Sequence, residues 1–85
     1  MEKIRVCVID DEPIACRKVQ RLLKEDSEIE VVQVCSNGEQ AREAIQTHQP
    51  DLIFLDVQMP EMDGFEVLKS LKIEKLPYVV FVTAY

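Results

Sequence analysis

The sequence lacks the features of several protein classes. It has no apolar run long enough to cross a membrane and no N-terminal pattern of a signal peptide. It has no block of lysine and arginine of the kind that binds nucleic acid, and no G-x-x-x-x-G-K-[S/T] phosphate loop. We therefore expect a cytoplasmic chain that contacts neither membrane nor nucleic acid and does not hydrolyse nucleotides.

The cysteines give no sign of disulfides or of a metal-binding cluster. Their number is odd, none shows C-x-x-C spacing, and Cys7 and Cys35 lie inside apolar runs. We expect these two and Cys16 to be reduced, buried thiols, since a free cysteine behaves as a small apolar residue.

What the chain does contain is enough apolar surface for one small domain. Leu, Ile, Val and Phe make up 28 of the 85 residues, which argues against disorder. The formal net charge is −6, from 16 acidic and 10 basic residues. An acidic balance usually serves solubility alone, but several of these acids stand at informative positions.

The apolar pattern predicts strands and helices in strict alternation. Strands are expected at residues 3–9, 29–35, 51–56 and 78–84, and helices at 13–26, from 36–39 to Pro50, and at 63–72. The third and fourth strands are apolar on successive residues, as strands of a parallel sheet are. The pattern predicts an α/β fold with a doubly wound parallel sheet.

Local signals mark the helix ends. Pro13 suits a first helical turn, Ser36 and Glu39 have the form of a capping box, and Asp63 is expected to cap the third helix. The apolar residues of the first helix form one stripe: Ala15, Val19, Leu22 and Leu23.

Polar residues follow three strands at the point where each ends. The first strand ends in Asp10-Asp11, the third in Asp56 and the fourth in Thr83. Because ligands bind beyond the carboxyl ends of parallel strands, these groups are expected on one edge of the sheet. Three crowded carboxylates resist ionisation unless a cation lies among them, and oxygen ligands suit Mg²⁺.

Three segments in this order resemble the receiver domain of two-component response regulators. They are "VIDDEP" (8–13), "LIFLDVQMPEMDGF" (52–65) and "VFVTAY" (80–85). The resemblance implies a flavodoxin-like receiver fold. "VVFVTAY" also resembles receivers joined to LytTR-type DNA-binding domains, which would make the parent protein a transcriptional regulator.

The resemblance also implies a role for each site residue. Asp56 would accept a phosphoryl group from a sensor histidine kinase. Mg²⁺ would be held by Asp10, Asp11, Asp56 and the backbone carbonyl of Gln58. Thr83 would be the switch hydroxyl that moves toward the phosphoryl group. Such a domain would be no enzyme beyond self-phosphorylation from a phosphodonor.

In the loop after Asp56, the resemblance gives Pro60 and Gly64 the role of shaping the backbone. The family continues past the fourth strand with a helix, a strand and a helix, so we expect residues 1–85 to be a single, C-terminally truncated receiver domain. The fourth strand would then be a bare edge, and we expect self-association or a swapped dimer.

Other interpretations of the same residues stay open. Asp10 and Asp11 could cap the first helix, and Asp56 could be an ordinary turn residue. A dehalogenase-like phosphatase would also use a strand-end Asp, but it would need a second Asp where Gln58 stands. The alternative function is a receiver-like binding or scaffold module that is never phosphorylated.

Overall fold

The computed structural model describes residues 2–59, 63–72 and 75–82, and strands and helices alternate throughout. The strands are β1 (Ile4–Ile9), β2 (Ile29–Cys35), β3 (Leu52–Asp56) and β4 (Tyr78–Val82). The helices are α1 (Pro13–Lys24), α2 (Gly38–His48) and α3 (Gly64–Ser70). The predicted order of elements is confirmed over these residues.

All pairings in the sheet are parallel, and the strand order is β2-β1-β3-β4. The chain moves outward from β1 to β2 and then returns to the other side of β1 as β3. The strand order of a doubly wound sheet reverses at such a point, and the reversal leaves a crevice beyond the carboxyl ends of β1 and β3. The predicted flavodoxin-like fold class is confirmed.

Helices cover the two faces of the sheet and divide the core in two. On one face, Ile9 and Ile53 pack with Ile45 of α2 and Val67 of α3. On the other, side chains of β1 pack against α1 in a cluster of Val6, Val8, Cys16 and Leu23. Successive residues of β1 point to opposite faces, so this strand contributes to both halves.

The apolar stripe predicted for α1 is partly wrong. Leu22 is 68% exposed, whereas Cys16 is buried beside β1 and Leu23 occupies the core. An α-helix has 3.6 residues per turn, so adjacent residues point in different directions. Two neighbouring leucines therefore cannot both face the centre of the sheet, and Cys16 completes the stripe with Val19.

The capping box predicted for α2 is displaced by one residue. The N-cap is Asn37, whose Oδ1 accepts a hydrogen bond from Gln40 N at 2.8 Å. Ser36 instead donates its amide and hydroxyl to Gln40 Oε1, and Glu39 pairs with Arg42 at 2.8 Å. Asparagine caps a helix as well as serine does, so the residue nearest the helix takes the role.

Several other local predictions are confirmed. Pro13 occupies the first position of α1, and Asp63 caps α3 by accepting a hydrogen bond from Glu66 N at 2.9 Å. Cys7, Cys16 and Cys35 are free and buried. Among the described residues, no helix has the length and apolar character that a membrane span requires.

Candidate functional site

The acids that end β1 and β3 meet at the reversal point of the sheet. β1 pairs with β3 up to Ile9 and Leu55, so the next residue on each strand, Asp10 and Asp56, lies at the same edge. One carboxylate oxygen from each of Asp10, Asp11 and Asp56 lies within 4.8 Å of the others. The predicted convergence of the three side chains is therefore confirmed.

Asp10 is the most deeply held of the three, with 7% of its surface exposed. Its amide donates to the carbonyl oxygen of Cys35 at 3.0 Å. Its Oδ1 accepts from the amide of Glu12 at 2.9 Å, and its carbonyl oxygen accepts from the thiol of Cys16 at 3.1 Å. Contacts on both the backbone and the side chain fix the direction of this carboxylate.

Asp56 is held by the loop that follows it. Its Oδ1 accepts a hydrogen bond from Gln58 N at 3.0 Å. Val57 joins the start of the loop to β4 and to α3. Its amide donates to Val82 O at 3.3 Å, and its carbonyl accepts from Gly64 N at 3.1 Å. The loop that begins directly after Asp56 is thus anchored between β4 and α3.

Gly64 stands where no side chain fits. A Cβ at this position would lie 2.9 Å from Asp56 O and 3.2 Å from Leu55 Cγ. The first of these contacts is to backbone, which cannot move aside without displacing Asp56. A role of Gly64 in shaping the loop stays a prediction, and this close approach is its physical support.

Burial and the neighbouring acids disfavour the ionisation of Asp56. Burial raises the pKa of Asp56 from 3.8 to about 6, the amide of Gln58 opposes the rise, and the negative charge of Asp10 adds to it. A cation among the three carboxylates would reverse this balance, because it favours their charged forms. Clustered carboxylate oxygens are the donors that a hard divalent ion such as Mg²⁺ takes, so the residues fit such an ion.

An open cavity of about 270 Å³ lies above the carboxylates and is lined by Asp10, Asp11, Glu12, Ala15, Asp56, Gln58 and Val82. Its volume admits an ion together with several waters. Sequence reasoning did not assign Glu12, Ala15 or Val82 to the site. Glu12 could have been found, because it precedes a proline at the first helical position and is therefore the N-cap.

Burial keeps the three thiols protonated. It raises the pKa of Cys7 to about 11 and that of Cys35 to about 12. The pKa of Cys16 is raised by burial and further by the charge of Asp10. Because the thiolate is the reactive form, these cysteines are unreactive side chains of the core.

Two predicted site residues, Thr83 and Pro60, lie outside the described residues. Gln58 lines the cavity and bonds to Asp56 through its amide. The predicted role of its carbonyl as a metal ligand stays a prediction.

The family model of the response regulator receiver domain matches residues 6–85. The chain belongs to the response regulator receiver family. The predicted resemblance is therefore confirmed, and the chain is the receiver domain of a two-component response regulator.

Curated relatives of this receiver domain include an uncharacterized response regulatory protein of Yersinia pestis, 46% identical over 96% of the chain. They also include the transcriptional regulatory protein BtsR of Escherichia coli, 43% identical over 96% of the chain. The chain spans about a third of the length of these relatives, 34% in each case.

Solved receiver domains have the same fold. The signal receiver domain of the putative response regulator NarL from Mycobacterium tuberculosis superposes with a TM-score of 0.89 at 37% identity. That match covers 100% of this chain and 69% of the other. The response regulator domain of Thermotoga maritima CheB gives 0.86 at 31% identity, covering 98% of this chain and 62% of the other.

Proposed function

We propose that Asp56 accepts a phosphoryl group from a sensor histidine kinase, at a Mg²⁺ site formed with Asp10 and Asp11. The observation that carries the proposal is the convergence of these three carboxylates within 4.8 Å at the crevice of the sheet. Phosphoryl transfer to an acid needs an oxygen nucleophile beside groups that can hold a divalent ion, and three adjacent carboxylates can supply both.

All three acids line the cavity, and they differ in how they are held. Asp56 ends β3, and its Oδ1 accepts a hydrogen bond from the amide of Gln58. Asp10 is buried, and its backbone and side chain together engage Cys35, Glu12 and Cys16. We assign the nucleophile to Asp56, as membership of the receiver family implies: a P–O bond to its carboxylate forms as the P–N bond of the phosphohistidine breaks.

Asp10, Asp11 and Asp56 would hold the metal through carboxylate oxygens, and the backbone carbonyl of Gln58 would supply a further oxygen. When bound there, such an ion would supply positive charge to offset the charge that spreads over the phosphoryl oxygens during transfer. The product adds nearly two negative charges to the cavity. Thr83, which follows the cavity-lining Val82 in sequence, is proposed to donate a hydrogen bond from its hydroxyl to the phosphoryl group.

The experiment is phosphorylation by acetyl phosphate with Mg²⁺, followed by intact mass spectrometry. We expect a labile mass gain of one phosphoryl group, abolished in Asp56→Asn. Asp26→Asn is the matched control, because Asp26 is exposed and distant, and its Oδ1 bond to Glu28 N can be kept by asparagine. A chain that never gains mass would favour the unphosphorylated binding module. An equal gain in Asp56→Asn would place the phosphoryl group on another residue and refute Asp56 as the acceptor.

The output of the signal is proposed from the relatives. BtsR is named a transcriptional regulatory protein, and we infer that this receiver domain also controls transcription, from the cytoplasm. Membership of the LytTR-type group stays a prediction. The chain itself would act only as a phosphoacceptor, with no catalysis beyond its own phosphorylation, and residues 1–85 would form one domain.

Self-association through β4 is proposed from its exposed side chains. Within the described residues β4 pairs with β3 alone, and Tyr78 and Val80 are 79% and 41% exposed. An exposed apolar edge strand pairs readily with another chain. The proposed partner is a second copy of this chain.

A further inference from the structure

Cys16 lies in α1, and its thiol contacts the edge of the sheet where Asp10, Asp11 and Asp56 meet. Cys16 is 6% exposed, and it packs with Val6 and Val8 of β1. Its Sγ donates a hydrogen bond to the carbonyl oxygen of Asp10 at 3.1 Å. A cysteine that served packing alone would need no partner, whereas this thiol is aimed at the backbone of a carboxylate residue.

The carbonyl of Asp10 lies where the sheet stops supplying partners. The β1–β3 register ends at the pair Ile9–Leu55, and the last contact of β1 with β2 is the bond from Asp10 N to Cys35 O. The chain then turns into α1. A buried carbonyl without a partner is costly, and the thiol of Cys16 supplies a donor at this position.

The same peptide determines where the carboxylate of Asp10 points. The Asp10 amide is held by Cys35 and its carbonyl by Cys16, so the peptide units on both sides of Cα are fixed. The Oδ1 bond to Glu12 then orients the side chain toward Asp11 and Asp56. The thiol bond is thus one of the restraints on the peptide between Asp10 and Asp11, to which both carboxylate residues belong.

We propose that Cys16 is a positioning residue of the Mg²⁺ site: its thiol holds the Asp10 carbonyl and thereby sets the direction of the Asp10 and Asp11 carboxylates. This inference rests on the proposed function, because it presupposes that these acids bind a divalent ion. Groups outside the ligand shell that orient the ligands commonly tune metal affinity.

The test is Mg²⁺ affinity, measured by calorimetric titration, with metal-free thermal stability measured in parallel. Cys16→Val keeps an apolar side chain of similar size but removes the donor. We expect it to bind Mg²⁺ about tenfold more weakly, the lower end of what lost orienting contacts cost. Cys16→Ser restores a donor and should return the affinity to within about twofold of the parent, as one retained hydrogen bond implies.

The matched control is Cys7→Val. Cys7 is a fully buried thiol of the other core cluster, and its Sγ makes no hydrogen bond to any of the residues that the structure describes. Cys7→Val should change the melting temperature and leave Mg²⁺ affinity unchanged. If Cys16→Val binds Mg²⁺ like the parent, or Cys16→Ser is as weak as Cys16→Val, Cys16 has a packing role only and the inference is wrong.

Failure of the underlying site has a different signature. Asp11→Ala should abolish Mg²⁺ binding and the stabilisation that Mg²⁺ gives. Should Mg²⁺ stabilise the parent and Asp11→Ala equally, the acids are not the ligands, and the proposed metal site and this inference both fall. If Asp11→Ala loses binding and Cys16→Val does not, only the positioning role is lost.

Discussion

β3 and β4 have similar sequences and very different surroundings. Each has five residues, four of them apolar in β3 and all five in β4, and the two pair in parallel from Leu52–Tyr78 to Asp56–Val82. Ile53 and Leu55 are fully buried, whereas all five residues of β4 are half-buried or exposed. An apolar run therefore predicts a strand, but the position of that strand in the sheet decides how much of it is buried.

The helices explain the difference. α2 and α3 cover the face that Ile53 and Leu55 share, and Val79 of β4 reaches the margin of that cluster. Phe81 contacts Phe65 of α3, with ring centroids 5.1 Å apart at an angle of 39°. β3 thus lies at the centre of a covered sheet and can anchor a functional acid, while β4 is stabilised mainly through β3.

Truncating one side chain in each strand tests most directly whether β3 is better packed than β4. Ile53→Ala should lower the free energy of unfolding by about 3 kcal/mol, because it leaves a cavity in the core. Val80→Ala on the exposed side of β4 should cost less than about 1 kcal/mol. Urea unfolding followed by circular dichroism measures both, and similar losses would show that β4 is as well packed as β3.

Gly64→Ala tests whether the end of β3 is held as tightly as its centre. The added methyl would lie 2.9 Å from Asp56 O, and such overpacking should cost about 1–3 kcal/mol. Lys69→Ala, on the exposed side of α3, is the control and should stay within about 0.5 kcal/mol of the parent. If Gly64→Ala is as stable as the control, the backbone around Asp56 can shift to accommodate the added methyl group without cost.

The acid at the end of β3 should make metal-free stability depend on pH. The pKa of Asp56 is raised from 3.8 to about 6 in the folded state, so the folded protein binds more protons than the unfolded chain in this window. The contribution of protonated Asp56 to the free energy of unfolding is therefore lost as pH rises from 3.8 to about 6.

Asp56→Asn should remove this fall in metal-free stability with rising pH. In the presence of EDTA it should melt at a higher temperature than the parent at neutral pH, with the gap closing below pH 3.8. Added Mg²⁺ should stabilise the parent and the control, and it should stabilise Asp56→Asn much less. Asp26→Asn serves as the control, and a parent whose melting temperature does not fall between these pH limits would contradict the prediction.

The edge position of β4 predicts the smallest change in stability. Val80→Lys should alter the free energy of unfolding by no more than about 0.5 kcal/mol but reduce self-association, because a charge on an edge strand opposes pairing. Light-scattering chromatography measures the change. Leu22→Lys, at a more exposed position on α1, should leave association as it is. A parent that is monomeric at all concentrations would refute the edge contact.

Much of the fold could be predicted because it depends on local patterns. Apolar periodicity located every strand and helix to within a few residues, and strict alternation implied a parallel sheet. Errors occurred where neighbouring residues compete for one role. Leu22 and Leu23 competed for the face of α1 toward the sheet, and Ser36 and Asn37 for the N-cap of α2.

The sequence by itself determined that Asp10, Asp11 and Asp56 would share one edge, because parallel strands end on the same side of a sheet. Tertiary structure alone decided how these acids are held. The close approach of Gly64 to Asp56 O and the thiol bond from Cys16 to Asp10 join residues whose side chains carry no joint signal in the sequence. The physical reason is that such contacts depend on the rotation and offset of packed helices, which only the assembled core sets.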